Sequence, residues 1–173
     1  ILYRLVGSEM CIRDRMIIGA VKEKKKFENR VSISPDDVKN YVKAGHQVFI
    51  EKGAGSLSGF NDKSYKESGA TLSTSKEVFK NSDIILKINC PTPDESKLIK
   101  NNSMVISQIS IQNNQDSIKI LNSKKISAFA LELVPRITRA QDMDILSSQA
   151  NLAGYHAVID LSLIHISEPT RRY

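Results

Sequence analysis

The chain has 173 residues, with 25 Lys and Arg against 19 Asp and Glu, a net charge of +6, two cysteines and no Trp. Two cysteines cannot build a disulfide framework or a zinc site, so no metal is expected, and a reducing compartment fits this usage. The lysines are scattered apart from Lys22 to Lys26 and few aromatics lie among them, which excludes the stacking platform of a nucleic-acid groove.

In chain order the first segment is foreign in character. Leu5 to Arg15 reads LVGSEMCIRDR and Leu161 to Arg171 reads LSLIHISEPTR. Both resemble translated sequencing adapters, and the DNA strings behind them are reverse complements over their shared length. Residues 1–15 and 161–173 are therefore expected to be non-native tails, with Cys11 and His165 excluded from any site. The remaining 145 residues, Met16 to Asp160, carry a net charge of +4 from 17 Lys and three Arg among their cations. They are expected to form one domain, a truncated piece of a longer protein. No signal peptide is expected before Met16. No apolar run approaches the roughly 18 residues that would span a bilayer, so this portion is expected to be soluble.

Strands are predicted at Met16–Val21, Gln47–Glu51, Asp83–Ile88, Met104–Ile109 and Ile126–Val134. Helices are predicted near Pro35–Ala44, Lys63–Ser68, Lys76–Lys80 and Asp116–Ser123. Ser34 is placed as the N-cap of the first helix, with Pro35 at the first helical position and Asp36 and Asp37 near the positive end of the dipole. Gly45 ends that helix where a left-handed residue costs least. Runs such as IIGAV, DIILKI and ISAFALELV are continuously apolar rather than alternating. Such strands are buried on both faces, which predicts an α/β fold with a mostly parallel sheet flanked by helices.

The segment Val134 to Val158 carries the densest polar pattern. A helix from about Gln141 places Met143, Leu146, Ala150, Ala153 and Ala157 on one arc, expected to pack against the sheet. Gln141, Asp144, Ser147, Ser148 and Asn151 fall opposite, either as a solvated face or as hydrogen-bonding partners for a ligand. Arg136 and Arg139 follow the predicted last strand, and ligands of open α/β sheets bind at the carboxyl ends of strands. Two Arg in a chain that otherwise uses Lys suggest a need for planar, multi-donor geometry.

The segments MIIGAVKEKKKFENRVSISP, EKGAGSLSGFND, DIILKINCP and above all VPRITRAQDMDILSSQANLAGY resemble the N-terminal domain shared by alanine dehydrogenases and the alpha subunit of proton-translocating NAD(P) transhydrogenase. The resemblance covers Met16 to Asp160, and the last block resembles the transhydrogenase branch in particular. It implies an NAD(H)-binding subunit that transfers hydride between NADH and NADP+, with Arg136, Gln141, Asp144 and Ser147 contacting the cofactor. Arg136 and Ser147 would hold the carboxamide, while Gln141 and Asp144 would act as catalytic residues near the ribose and the facing NADP(H). A beta subunit carrying NADP(H) and the membrane parts, a homodimer, and a peripheral place on the cytoplasmic side of the inner membrane are implied in the same way. The fold so implied is Rossmann-like, without a dinucleotide fingerprint. GAGSLSG at Gly53 to Gly59 lacks the G-x-G-x-x-G spacing and its glycines read as turn residues.

Chemistry divides the two branches. Oxidation of alanine needs general acid and base groups, whereas transfer between two nicotinamide rings is mainly a matter of positioning. The positions matching the alanine dehydrogenase Lys and His are Asn89 and Ser110, neither able to do that work near neutral pH. Lys87, two residues earlier, is a possible substitute, though a surface charge is the expected role. Arg30 matches a substrate-carboxylate Arg and keeps alanine dehydrogenase open as an alternative, beside a non-catalytic α/β binding module. His46 is read as a turn residue, His156 as a surface or interface contact, and Glu132 as mainly structural.

Overall fold

A computed structural model describes residues 15–167, the side chains of Asp142 and of 164–167 excepted. Residues 1–14, Cys11 among them, and 168–173 lie outside the described residues. The chain divides into two compact units between Ala130 and Leu131.

The first unit is an α/β layer structure built on six strands: β1 (Ile17–Ala20), β2 (Gln47–Glu51), β3 (Thr71–Ser73), β4 (Ile84–Asn89), β5 (Met104–Gln108) and β6 (Ser127–Ala130). They form one sheet in the order β3-β2-β1-β4-β5-β6, and every pair is parallel. The helices between them are α1 (Pro35–Lys43), α2 (Asp62–Glu67), α3 (Ser75–Asn81), α4 (Pro93–Leu98) and α5 (Gln115–Ser123). Parallel strands need such crossovers, and these cover both faces. On one face Val38 of α1 and Tyr65 of α2 pack with Ala20, Val48 and Ile50. On the other, Val78 and Phe79 of α3 and Leu121 of α5 pack with Ile85 and Val105.

Local chemistry fixes the helix ends. Ser34 closes a capping box with Asp37, and Pro35 takes the first helical position, as the sequence predicts. Gly45 follows with φ +91°. The capping boxes Thr74–Glu77 and Thr92–Glu95 start α3 and α4 in the same way. Gly19 in β1 serves close packing, because a Cβ there would stand 2.8 Å from Val78 Cγ1 of α3. In the glycine-rich loop, Gly53 and Gly59 take positive φ as turn residues. Gly55 does not, and it is small because Tyr65 lies against it.

The last predicted strand is corrected. Ile126–Val134 is strand only over Ser127–Ala130, and Leu131–Leu133 winds into a 3-10 turn. Pro135 lacks an N–H to continue a ladder. Nor is this strand buried on both faces: it is an edge strand paired only with β5, and Ser127, Ala128 and Phe129 are exposed.

The second unit holds that turn, a 3-10 segment Thr138–Met143 and one helix, α6 (Ile145–Ser167). The helix predicted from Gln141 therefore begins four residues later. Its expected buried arc is not buried, since Met143, Leu146, Ala150, Ala153 and Ala157 are all exposed. α6 continues past Asp160, and Leu161 and Leu163 are each 58% exposed. Among the described residues no helix is long and apolar enough to cross a membrane.

Candidate functional site

Two groups of candidate side chains emerge, one in each unit. In the first unit the crossovers run to one side from β1 to β2 and to the other from β4 to β5. The chain order thus reverses between β1 and β4, and a crevice opens at the carboxyl ends of strands flanking such a switch point. A cleft of about 390 Å³ lies there, lined by residues that include Glu23, Lys25, Lys87, Asn89, Gln108 and Ser110.

Its floor is ionic. Lys87 is buried, which corrects its expected surface role. Two acids compensate it: Nζ lies 2.9 Å from Glu95 Oε2 and 3.9 Å from Glu23 Oε2. Burial raises the pKa of Glu95, but the charge and hydrogen bond of Lys87, with hydrogen bonds from the Thr92 N–H and Lys24, together outweigh this and hold the carboxyl below its ordinary range. Glu23 accepts the backbone N–H of Ile88 at 2.7 Å and the Asn89 amide at 3.4 Å. A lysine so enclosed by carboxylates has a structural task. Asn89 and Ser110 both line the cleft, and Ser110 holds φ +49°, a sparsely populated conformation of the kind that concentrates at ligand sites.

Arg30 does not line this cleft. Its guanidinium clamps Glu28, Nε to Oε1 at 2.7 Å and Nη2 to Oε2 at 2.8 Å. The hydrogen bond from Arg30 draws the Glu28 pKa down to about 2. Sequence reasoning missed Glu23, Glu28 and Glu95. Glu95 was legible through the T-P-D-E capping pattern, whereas Glu23 stood inside a lysine run with nothing to mark it as buried.

The second unit brings Arg136, Asp144 and Ser147 together. Asp144 precedes α6 and accepts the N–H groups of Leu146 at 3.0 Å and Ser147 at 3.2 Å on Oδ1. Ser147 Oγ donates to Oδ2 at 2.6 Å. Asp144 is therefore the N-cap of this helix, and it is buried although the sequence put it on the polar face. The hydrogen bonds from Ser147, first its hydroxyl and then its amide, hold the carboxyl below its ordinary range. Arg136 Nε lies 3.8 Å from Oδ2, with the Arg136 side chain 72% exposed. Gln141 joins through its backbone, its carbonyl accepting from the Asp144 N–H at 3.2 Å, and its side chain is exposed. His156 makes a ring contact with Tyr155 at 6.3 Å, and His46 Nδ1 accepts from the Met16 N–H at 3.4 Å.

Comparison with known proteins gives this geometry a family. Residues 19–153 match the family model described as alanine dehydrogenase/PNT, N-terminal domain. The chain is 41% identical over 145 residues to NAD(P) transhydrogenase subunit alpha of Haemophilus influenzae, covering 84% of this chain and 28% of that one. It is 38% identical over 140 residues to alanine dehydrogenase of Methanococcus maripaludis, covering 80% of this chain and 37% of that one. The crystal structure of transhydrogenase from Sinorhizobium meliloti superposes with a TM-score of 0.79 at 41% identity, covering 83% of this chain and 43% of that chain. The chain thus spans less than half the length of each of these relatives. Its parallel Rossmann-like sheet agrees with the match over residues 19–153, and the chain belongs to the alanine dehydrogenase/PNT N-terminal domain family.

Proposed function

We propose that this chain is the front part of the NAD(H)-binding alpha subunit of a proton-translocating NAD(P) transhydrogenase, which transfers hydride between NADH and NADP+ held by a beta subunit. The observation that carries the reading is the cleft at the β1/β4 switch point. The positions where the alanine dehydrogenase branch has its Lys and His are here Asn89 and Ser110, both in the lining. Lys87, the lysine in that lining nearest to Asn89 in sequence, is locked to Glu95, so it is not available for the acid and base work that amine oxidation needs. The higher identity to the transhydrogenase subunit supports the same reading.

The loop before α6 suits a nicotinamide carboxamide. Asp144 fixes Ser147 by two hydrogen bonds and faces the Arg136 Nε, while most of the guanidinium stays exposed. Arg136 and Ser147 would hold the amide, and Gln141 and Asp144 would orient the ribose and the facing ring. NAD(H), when bound, supplies or accepts the hydride. The residues of this chain position and exclude water, and they move no proton at the reacting carbon. Assembly as a homodimer with the beta subunit, at the cytoplasmic face of the inner membrane, follows from this reading.

The test uses the full-length subunit assembled with its partner. Arg136→Ala and Gln141→Asn slow hydride transfer far more than they lower the thermal midpoint. Wild-type transfer by folded, cofactor-saturated Arg136→Ala would remove this loop from the cofactor site. The chain alone binds NADH weakly and reduces no NAD with alanine as donor.

A further inference from the structure

We propose that the loop Lys22–Phe27, with the neighbouring tip at Leu57, is a docking surface for an anionic lipid layer. The first observation is a strained and exposed aromatic residue. Phe27 is 89% exposed and holds φ +67°. It occupies the third position of a turn closed by Glu28 N–H donating to Lys25 O at 3.1 Å, where glycine or asparagine sits with least strain. A bulky residue kept in that conformation and left in water is explained by a contact outside the chain.

Charge says what kind of contact. Lys22, Lys24, Lys25 and Lys26 are all exposed, with Lys26 Nζ 5.0 Å from the Phe27 ring. The acids of the same edge are engaged by donors within the chain, and none is fully exposed. Glu51 accepts the Lys22 N–H, Asp62 the Gly53 N–H and Glu23 the Ile88 N–H, while Glu28 is clamped by Arg30. Outward charge at this edge is therefore positive. The base of the loop is held rather than loose, because Lys24 pairs with Glu95 at 2.9 Å.

The adjoining glycine-rich loop adds a second apolar tip. Leu57 is 58% exposed, and Ser58 Oγ ties this loop to the first by donating to Asn29 O at 2.6 Å. Isolated apolar tips among cations suit the headgroup boundary, where aromatic and leucine side chains sink shallowly and lysines meet anionic lipid. A protein interface draws its energy from clustered, fully desolvated anchors, and between Lys22 and Asn29 Phe27 is the only exposed apolar side chain.

The chain has no Trp, so Phe27→Trp makes a single reporter in the full 173-residue protein. Its emission shifts to the blue, and the chain cosediments, with vesicles of equimolar phosphatidylglycerol and phosphatidylcholine but not with phosphatidylcholine alone. High salt weakens both effects. Lys22→Gln and Lys26→Gln each lower partitioning by about fivefold. Phe27→Gly lowers it too while the thermal midpoint holds or rises, which separates lost docking from lost folding. Unshifted emission on anionic vesicles overturns the proposal, as does sedimentation unchanged by all three substitutions. Vesicle indifference combined with an emission shift on polyglutamate overturns it in favour of an acidic protein surface.

Discussion

The Nζ of Lys87 stands 2.9 Å from Oε2 of Glu95, and both side chains are 2% exposed. The same Oε2 accepts the Thr92 N–H at 3.0 Å, and Oε1 meets Lys24 at 2.9 Å. One carboxylate therefore closes the cap of α4, neutralises a buried lysine of β4 and anchors the loop after β1. Three elements that frame the cleft meet on a single side chain.

Replacing Lys87 with Met strands Glu95 and Glu23 in the interior with no buried cation. Breaking a buried pair by removing one partner costs about 3–5 kcal/mol. Urea denaturation of Lys87→Met should show a loss of that order. Lys87→Met combined with Glu95→Gln should recover part of it, because the amide retains a capping oxygen without the charge. A loss below about 1 kcal/mol for the single variant would mean that the pair is solvated and that its structural assignment fails.

Glu28 predicts a distinct acid limb. Its pKa is held at about 2, against an ordinary 4.5. A depressed carboxylate contributes stability that is fully present above the ordinary value and is lost as pH falls through the folded one. The stability difference between wild type and Glu28→Gln should therefore be constant above about pH 4.5 and fade as pH approaches about 2. Added salt should shrink it, since Arg30 is half exposed. A difference that does not change between those limits would remove Arg30 as the cause.

The fold was legible where pattern and punctuation agreed. β2 was predicted at Gln47–Glu51 and is observed there, and Ser34, Pro35 and Gly45 bounded α1 by cap chemistry that needs no tertiary information. β3 was missed because Thr71–Ser73 is too short to show a period. α4 was missed although Thr92, Pro93 and Glu95 spell its start. In the candidate site, Arg136, Asp144 and Ser147 were named from a local run and are brought together. The buried partners of Lys87 come from two other segments, and no spacing along one chain encodes such a meeting. The apolar arc of α6 misled for a related reason: periodicity indicates that a face is suited to burial, not what covers it.

Leu161 and Leu163 are exposed, so the adapter-like segments are expected to add nothing to the stability of what precedes them. A chain trimmed to Met16 to Asp160 should retain its urea midpoint and the cooperativity of the sheet unit. A drop on trimming would mean that residues 161–173 pack on native structure, and the reading of them as foreign tails would fall with it.

Asp144 separates capping from cofactor alignment, because two substitutions divide its tasks. Asn is a good N-cap and keeps an oxygen for the Leu146 and Ser147 amides, whereas Ala keeps none. Asp144→Ala should therefore fray the first turn of α6, measured as lost helical circular dichroism, while Asp144→Asn should not. Both remove the charge that faces Arg136 at 3.8 Å, and both leave the guanidinium free to turn. In the assembled full-length enzyme, a displacement of about 1 Å in a positioning group costs on the order of a hundredfold in rate. Asp144→Asn should show a loss of that size in hydride transfer with its helix intact. If Asn transfers hydride at the wild-type rate and only Ala is slow, Asp144 is a helix cap alone, and Arg136 must be aligned by something other than its charge.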